Sequence, residues 1–504
     1  MKVLVLPEVR QYLKEVHFVL LSTCTIFAAF IQINVIIMKR ILHGIINYRV
    51  CALLMGSMLL FMMSGCDEMV EEPIPTLEMH KGYSTQLNAL SDNVKWGSSD
   101  PSIATVSSTG LVTAVKAGKA TIYTYSSNDQ QEVACYLEVH PTRNILFYIG
   151  GDNNLFGEAY TKINKVRSGW QPGMGEMIIY VDHEVDGACL LRITEVKGNE
   201  YFRLDTIQDY GAENSADHTV LSGAINRMKQ DYPADSYGMI LFSHASGWLP
   251  EGMLASPRSI VRDDAVVREM EYYDFAAAIP DKQFDFIIIE ACLMADVMSM
   301  YELRNKAEYV LASSAEIVSP AEYVLASSAE IVSPGFTNIY DKKIMGLYDT
   351  KNNVSTILSG FVQSYYDIMK NSITMSLIKM DEMENLASVT KSILKGIDID
   401  DTNLDVDEIQ TFDRPRALGG RPYSRYFDFA HIMENLVSSS DYKIFNTQME
   451  KTVIWKASSS SFLLNQNGFY INHHCGLTTY IEQTVYPELK AAYRNSSWYK
   501  AVYN

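Results

Sequence analysis

The chain has 504 residues, too many for one ordinary domain. Hydrophobic residues make up 47% and charged residues 20%, the balance of globular protein with a large core. A formal net charge of −18 excludes an unaided nucleic-acid binder, which needs a basic face.

Residues 1–66 read as an N-terminal extension and targeting segment rather than fold. Residues 1–37 look like an over-long gene start; if Met1 is the true start, Phe18 to Ile37 is a second apolar segment. A positively charged stretch begins at Lys39-Arg40 and runs to Arg49. The run "CALLMGSMLLFMMSGC" (51–66) follows, and its apolar part is short against the roughly 20 residues of a membrane span. "MSGC" (Met63 to Cys66) resembles a lipobox. That resemblance implies lipidation of Cys66, a membrane partner through the lipid anchor, and an extracytoplasmic place on the outer membrane or cell surface. Asp67, Glu68, Glu71 and Glu72 make residues 67–74 an acidic linker, similar to the surface-export signal of some Gram-negative lipoproteins and equally readable as a solvated spacer.

Residues 75–141 carry short runs rich in Val, Thr, Ile and Tyr, broken by "SSDPS", "STG", "KAGK" and "SSND". That is the pattern of short antiparallel strands. The stretch "VKWGSSDPSIATVSSTGLVTAVKAGKATIYTY" resembles the bacterial Ig-like group 2 domain. The resemblance implies that Trp96 packs in the core, and that Gly110 and Gly118 occupy turns with positive φ. It implies a spacer or weak adhesive module.

From residue 142 to 504 apolar runs alternate with helical stretches. "NILFYIG" (144–150), "EMIIYVD" (176–182), "YGMILFS" (237–243) and "FDFIIIEA" (284–291) read as strands buried on both faces. "HTVLSGAINRMKQDY" (218–232) places Val220, Leu221, Ala224, Ile225 and Met228 on one helix face. Alternating strands and helices predict a mostly parallel sheet covered on both faces. In such sheets chemistry collects past the carboxyl ends of the strands.

His244 follows one of these strands and Cys292 another, 48 residues apart. Neighbouring parallel strands would bring imidazole and thiol to one edge, as nucleophilic cysteine catalysis requires. "LMADVMSMYEL" (293–303) reads as a helix whose N-terminus would lower the thiol's pKa. Taken singly, a strand-end Cys is more often a core residue and a His beside Ser-Gly more often a loop cap.

"YIGGDNNL" (148–155), "LFSHASGWLP" (241–250), "EACLM" (290–294) and "GLTTYI" (476–481) resemble successive motifs of the clostripain family of cysteine peptidases. The resemblance spans residues 144–504. It implies an α/β fold, a caspase-like α/β/α sandwich with a mostly parallel sheet, behind the small N-terminal all-β Ig-like domain. It also implies an endopeptidase that cuts protein or peptide substrates after Arg or Lys, with His244 and Cys292 catalytic and the amides of Ala245 and Cys292 as the oxyanion hole. Ala245 stands where the family usually has Gly; if that position were left-handed, activity would suffer. Glu290 stands where the family commonly has Asp at the pocket floor, and is expected there, with loop amides as the other role. Activation by cleavage between the two motifs is a family feature, and Arg258, Arg262 and Arg268 are candidate autocleavage points. The family needs no cofactor for its chemistry, but calcium dependence occurs in it; Asp152, Asp263 and Asp264 offer oxygen ligands. No CxxC or HExxH pattern supports a structural zinc site, and a metal role for His473-His474 is disfavoured because neighbours on a strand face opposite ways.

"AEYVLASSAEIVSP" occurs twice in tandem, at 307–320 and 321–334. One copy is expected to fill a sheet position, with Ser313 or its counterpart Ser327 lining the substrate pocket, and the other to be extruded. The duplication and Ala245 keep open a second reading, a catalytically impaired, peptidase-like binding module. Sequence leaves the oligomeric state open.

Overall fold

The computed structural model describes residues 74–88, 94–126, 129–153, 155–183, 187–196, 202–251, 253, 260–263, 268–317, 335–369, 371–397, 404–414 and 423–504. Cys66, Arg258, Asp264, Ser327 and the second repeat copy lie outside them. Among the described residues no helix is long and apolar enough to cross a membrane.

The first part is a sandwich of two sheets. Strands β1 (Thr76–His80), β2 (Ser84–Gln86), β3 (Lys95–Ser98), β4 (Ala104–Val106), β5 (Leu111–Ala114), β6 (Gly118–Tyr125) and β7 (Gln131–His140) pair in the orders β1-β7-β6-β3 and β2-β5-β4. Met79, Val112, Ile122, Leu137 and Val139 fill the space between, and Trp96 packs half-buried against them. Gly110 has φ +84°, and a Cβ there would meet the Leu87 carbonyl at 2.6 Å and the Trp96 ring at 2.8 Å, so the turn and the indole require glycine together.

Beyond Pro141-Thr142 the chain builds a nine-stranded sheet. Its centre is β9 (Met177–Asp182), β8 (Arg143–Gly150), β12 (Ser236–Phe242), β15 (Phe284–Glu290) and β16 (Ala307–Ser313), all parallel. The short hairpin β13 (Val261–Asp263) and β14 (Arg268–Met270) stands apart from this sheet. Both edges are antiparallel: β10 (Ala188–Glu195) and β11 (Phe202–Gly211) on one side, β17 (Thr374–Lys379) and β18 (Val453–Ser458) on the other. The expected parallel sheet is therefore a parallel centre in a mixed sheet. β8, β9 and β12 are almost wholly buried, which is why they read as unbroken apolar runs.

Helix α1 (Phe156–Gly169) buries Ala159, Ile163 and Val166 together with one charged residue, Lys162. Helix α2 (His218–Asp231) buries Leu221, Ala224, Ile225 and Met228, the stripe expected from its spacing. Asp217 starts it, its carboxylate accepting from Thr219 N–H at 2.8 Å. Helix α3 (Val297–Leu303) is shorter than the expected 293–303: Asp296 caps it, accepting from Ser299 N–H at 2.9 Å, and Leu293 has φ +60°, which no helix admits.

The first repeat copy occupies the sheet as β16, paired in parallel with β15 and antiparallel with β17. Its ladder continues upstream, where Phe284 N–H donates to Lys306 O at 3.1 Å and Lys282 N–H to Asn305 O at 2.6 Å. Because the copies are identical, removing either gives one and the same chain, and every contact of Ala307–Ile317 survives. The 14-residue deletion is expected to fold, with stability unchanged or raised by about 1–2 kcal/mol through the shorter connection. Thermal unfolding of the deleted protein checks this; loss of the folded state would show that the second copy is structurally required.

Candidate active site at the carboxyl edge of the sheet

The register of β12 against β15 sets Phe242 opposite Glu290. His244 and Cys292 each lie two residues beyond that pair, so adjacent strands deliver them to one edge. Both are buried, with 1% and 7% of their surface exposed. The loops carrying them touch: Gly247 has φ +57°, and a Cβ there would lie 2.5 Å from the Leu293 carbonyl and 2.9 Å from Asp296 Oδ2. Only glycine can pack at that approach.

Each loop is held from outside. Tyr426 O–H donates to the Ser246 carbonyl in the His loop, and the buried Trp248 packs on Tyr480 with ring centroids 4.9 Å apart. On the Cys side, Leu293 N–H donates to Ala315 O at 3.0 Å and Ala295 N–H to Ser313 O at 2.9 Å. Both acceptors belong to the first repeat copy, which therefore braces the loop of Cys292. The left-handed Leu293 is strain held in place by these bonds, directly after the thiol. Burial raises the Tyr365 and Tyr426 hydroxyls well above their usual range, with the Glu290 charge adding to the first and the Asp296 charge to the second.

Several expectations change here. The residues after Cys292 form a turn before α3, and Asp296 caps that helix by accepting from Ser299 N–H, so the thiol does not sit at a helix N-terminus. Ala245 is buried and is absent from the left-handed residues, so alanine imposes no backbone strain there. Ser313 is buried and its hydroxyl pairs with Thr374 Oγ1 at 3.0 Å, which makes it a brace rather than a pocket wall. Arg262 and Arg268 lie in the β13–β14 hairpin.

Glu290 is the largest correction. Its side chain is 1% exposed, and Lys162 Nζ, 0% exposed, lies 2.6 Å from Oε1. Phe336 N–H donates to Oε1 at 2.5 Å and Tyr340 O–H to Oε2 at 2.7 Å. Gly335 has φ +48°, and a Cβ there would lie 2.0 Å from Oε1. Burial pushes the Glu290 carboxyl up and the Lys162 ammonium down; their mutual attraction opposes both shifts. Both oxygens are thus spent inside the protein, on the loop-anchoring role, and no open pocket floor remains at this residue. Sequence reasoning missed Lys162, although a lysine on the buried stripe of α1 was the available signal.

Asp152, Asp182 and Asp263 bring a carboxylate oxygen each within 4.8 Å of one another, all buried, at the ends of β8, β9 and β13. Burial raises the Asp182 carboxyl to about 7, and the neighbouring Asp263 and Asp152 charges add to it. Ser215 N–H donates to Asp182 Oδ2 at 3.2 Å and to Asp263 Oδ2 at 3.1 Å. Three buried oxygens at this spacing match a hard cation, whose ligands sit at 2.3–2.6 Å from the ion. The sequence pointed to Asp152 and Asp263; Asp182 was missed because it closes a strand 30 residues from Asp152. His473 and His474 lie in a loop rather than on the expected strand: His473 stacks on His431 at 3.6 Å, while His474 packs on Phe412 at 5.5 Å.

Lys162→Met should lower stability by about 3–5 kcal/mol, since it leaves the buried carboxylate without its counter-charge, and adding Glu290→Gln should restore most of the loss. Denaturant unfolding of both variants checks this; equal losses would show that charge is not what the pair balances.

Comparison with known proteins agrees with this fold. The clostripain family model matches residues 147–474, and the bacterial Ig-like domain (group 2) model matches residues 76–136. Clostripain of Hathewaya histolytica is 24% identical over 245 residues, which are 42% of this chain and 46% of that protein. The chain thus spans about half the length of this curated relative. Among solved structures, an inactive zymogen C11 protease from Parabacteroides distasonis is 27% identical with a TM-score of 0.61, covering 72% of this chain and 99% of its own. A secreted C11 cysteine protease from Bacteroides thetaiotaomicron, solved with an irreversible peptide inhibitor, has a TM-score of 0.59 at 24% identity over the same shares, and shares the fold.

Proposed function

From the premise that this chain belongs to the clostripain family, we propose that it is a cysteine endopeptidase cutting peptides after a basic residue, with Cys292 as nucleophile and His244 as proton carrier. The observation that carries this reading is the Phe242–Glu290 register, which sets His244 and Cys292 at matched positions past neighbouring strands. The Cys292 thiolate attacks the peptide carbonyl, His244 passes its proton to the leaving amine, and a water then releases the acyl group. The amides of Ala245 and Cys292 take the oxyanion. The unstrained backbone of Ala245 favours this enzyme reading over an impaired binding module. The net charge of −18 favours basic substrates through long-range attraction.

Cys292→Ala is expected to lower kcat on Arg- and Lys-containing peptides by at least about 10³-fold and to abolish labelling by a thiol-directed peptidyl probe. Retained turnover would sink the assignment of the nucleophile.

The three carboxylates Asp152, Asp182 and Asp263 fit a calcium ion, whose charge would offset theirs beside the His244 strand. Calcium at about 100 times its dissociation constant should then stabilise the protein by about 2.7 kcal/mol, with EGTA reversing the gain and Asp182→Asn losing it. An equal thermal shift in the Asn variant would place the ion elsewhere.

A further inference from the structure

With Glu290 closed off by Lys162, recognition of a basic side chain has to come from another carboxylate. We propose that Glu316 is that specificity-determining group, and that Arg414 of the same chain occupies it in this structure as an internal stand-in for the substrate's side chain. The proposal rests on the peptidase reading above.

The placement is direct. Glu316 is the residue after Ala315, whose carbonyl accepts from the amide of Leu293, itself the neighbour of Cys292. It leaves the carboxyl end of β16, next in the sheet to the strand that carries the thiol. Two residues before Glu316, Ser314 has its Oγ 3.4 Å from His474 Nε2, and the His474 ring packs on Phe412, two residues before Arg414.

The pairing with Arg414 is incomplete. Nε of Arg414 donates to Glu316 Oε2 at 2.6 Å, and its NH1 donates to the Gln466 carbonyl at 2.8 Å. Among the described residues, Glu316 Oε1 is buried and accepts no hydrogen bond. A guanidinium fits a carboxylate best as a two-pronged fork, one N–H to each oxygen. This chain builds such forks elsewhere: Arg192 holds both oxygens of Glu176 at 2.8 Å. Arg494 holds those of Glu482 at 2.6 and 2.8 Å. Both forks are more exposed than the Glu316 pair, where an orphaned oxygen costs most. An ion pair serving stability alone has no reason to leave that oxygen bare. A carboxylate that exchanges its partner for an incoming side chain does, because the second oxygen is then available to the substrate's N–H groups.

Arg414 is also delivered from a fixed base. Phe412 N–H donates to Tyr426 O at 2.9 Å, and Asp413 holds Arg425 at 3.1 Å, both buried. Arg414 therefore reaches into the site from an anchored segment, and exchange with a substrate requires only its side chain to swing away.

The test uses the full chain. Binding of matched peptides, with Arg or Gln before the scissile bond, is measured on Cys292→Ala protein by calorimetry, and kcat/KM is measured on otherwise wild-type protein. Glu316→Gln should cut the preference for Arg over Gln by about 100-fold in both measurements. Glu330→Gln, the same change in the second copy, should leave it unaltered. Arg414→Gln should tighten binding of the Arg peptide several-fold and leave the Gln peptide unchanged. The double variant Glu316→Gln/Arg414→Gln, free of a lone buried charge, keeps the test valid if either single variant fails to fold. Retention of the Arg preference in Glu316→Gln or the double variant would overturn the proposal, as would equal changes for both peptides in Arg414→Gln. Absence of Cys292 labelling by a neutral peptidyl probe in otherwise wild-type protein would instead overturn the peptidase reading on which this one stands.

Discussion

The buried ion pair between Lys162 and Glu290 is the contact on which the active edge depends. Burial disfavours both charges, and they persist because they are 2.6 Å apart and because Tyr340, Phe336 N–H and Thr337 take up the remaining hydrogen-bonding positions. Lys162 Nζ also lies 4.2 Å from the centre of the Phe242 ring. One ammonium group thus sits beneath the last residues of β12 and β15, the two strands that carry His244 and Cys292. The same carboxylate gathers α1 and the chain returning at Gly335. Such a pair adds less to stability than an apolar contact of the same volume would, but it defines one arrangement of three separate segments.

The tandem repeat shows how the fold chooses between equal sequences. Either copy could supply β16, since no residue differs. The first copy wins because the ladder with β15 already begins at Asn305 and Lys306, just upstream of Ala307, and Lys306 adds an ion pair to Asp281 at 2.7 Å. Using the second copy would lose these contacts and lengthen the crossover from α3. The carbonyls of Ser313 and Ala315 in the first copy then brace the turn after Cys292, so the repeat is part of the site rather than an ornament beside it.

Acidic groups at this edge divide by their surroundings. Glu290 is neutralised from within. Asp152 and Asp263 crowd Asp182, and their charges add to the burial that raises its carboxyl. Glu316 is met by an arginine on one oxygen only. Three carboxylate environments on one sheet edge give three chemistries, although each residue is simply an acid after or near a strand.

The buried strands, the stripe on α2 and the paired strand-end His and Cys were legible because they depend on local spacing, period 3.6 on the helix and continuous apolar runs in the doubly covered strands. The start of α3 was misplaced because Leu293 is held left-handed by the bonds of Leu293 N–H to Ala315 and of Ala295 N–H to Ser313, which local propensity does not contain. The outermost antiparallel strands, β11 and β18, escaped because they are half-buried and lack the unbroken apolar signal. What the sequence determined by itself was that an imidazole and a thiol would follow successive buried strands, with Gly247 between them in the chain. Tertiary structure alone decided which charges they would face. Lys162 and Glu290 are 128 residues apart, and Glu316 and Arg414 are 98 apart. Pairing over such separations is set by packing and desolvation, which no local pattern of residues records.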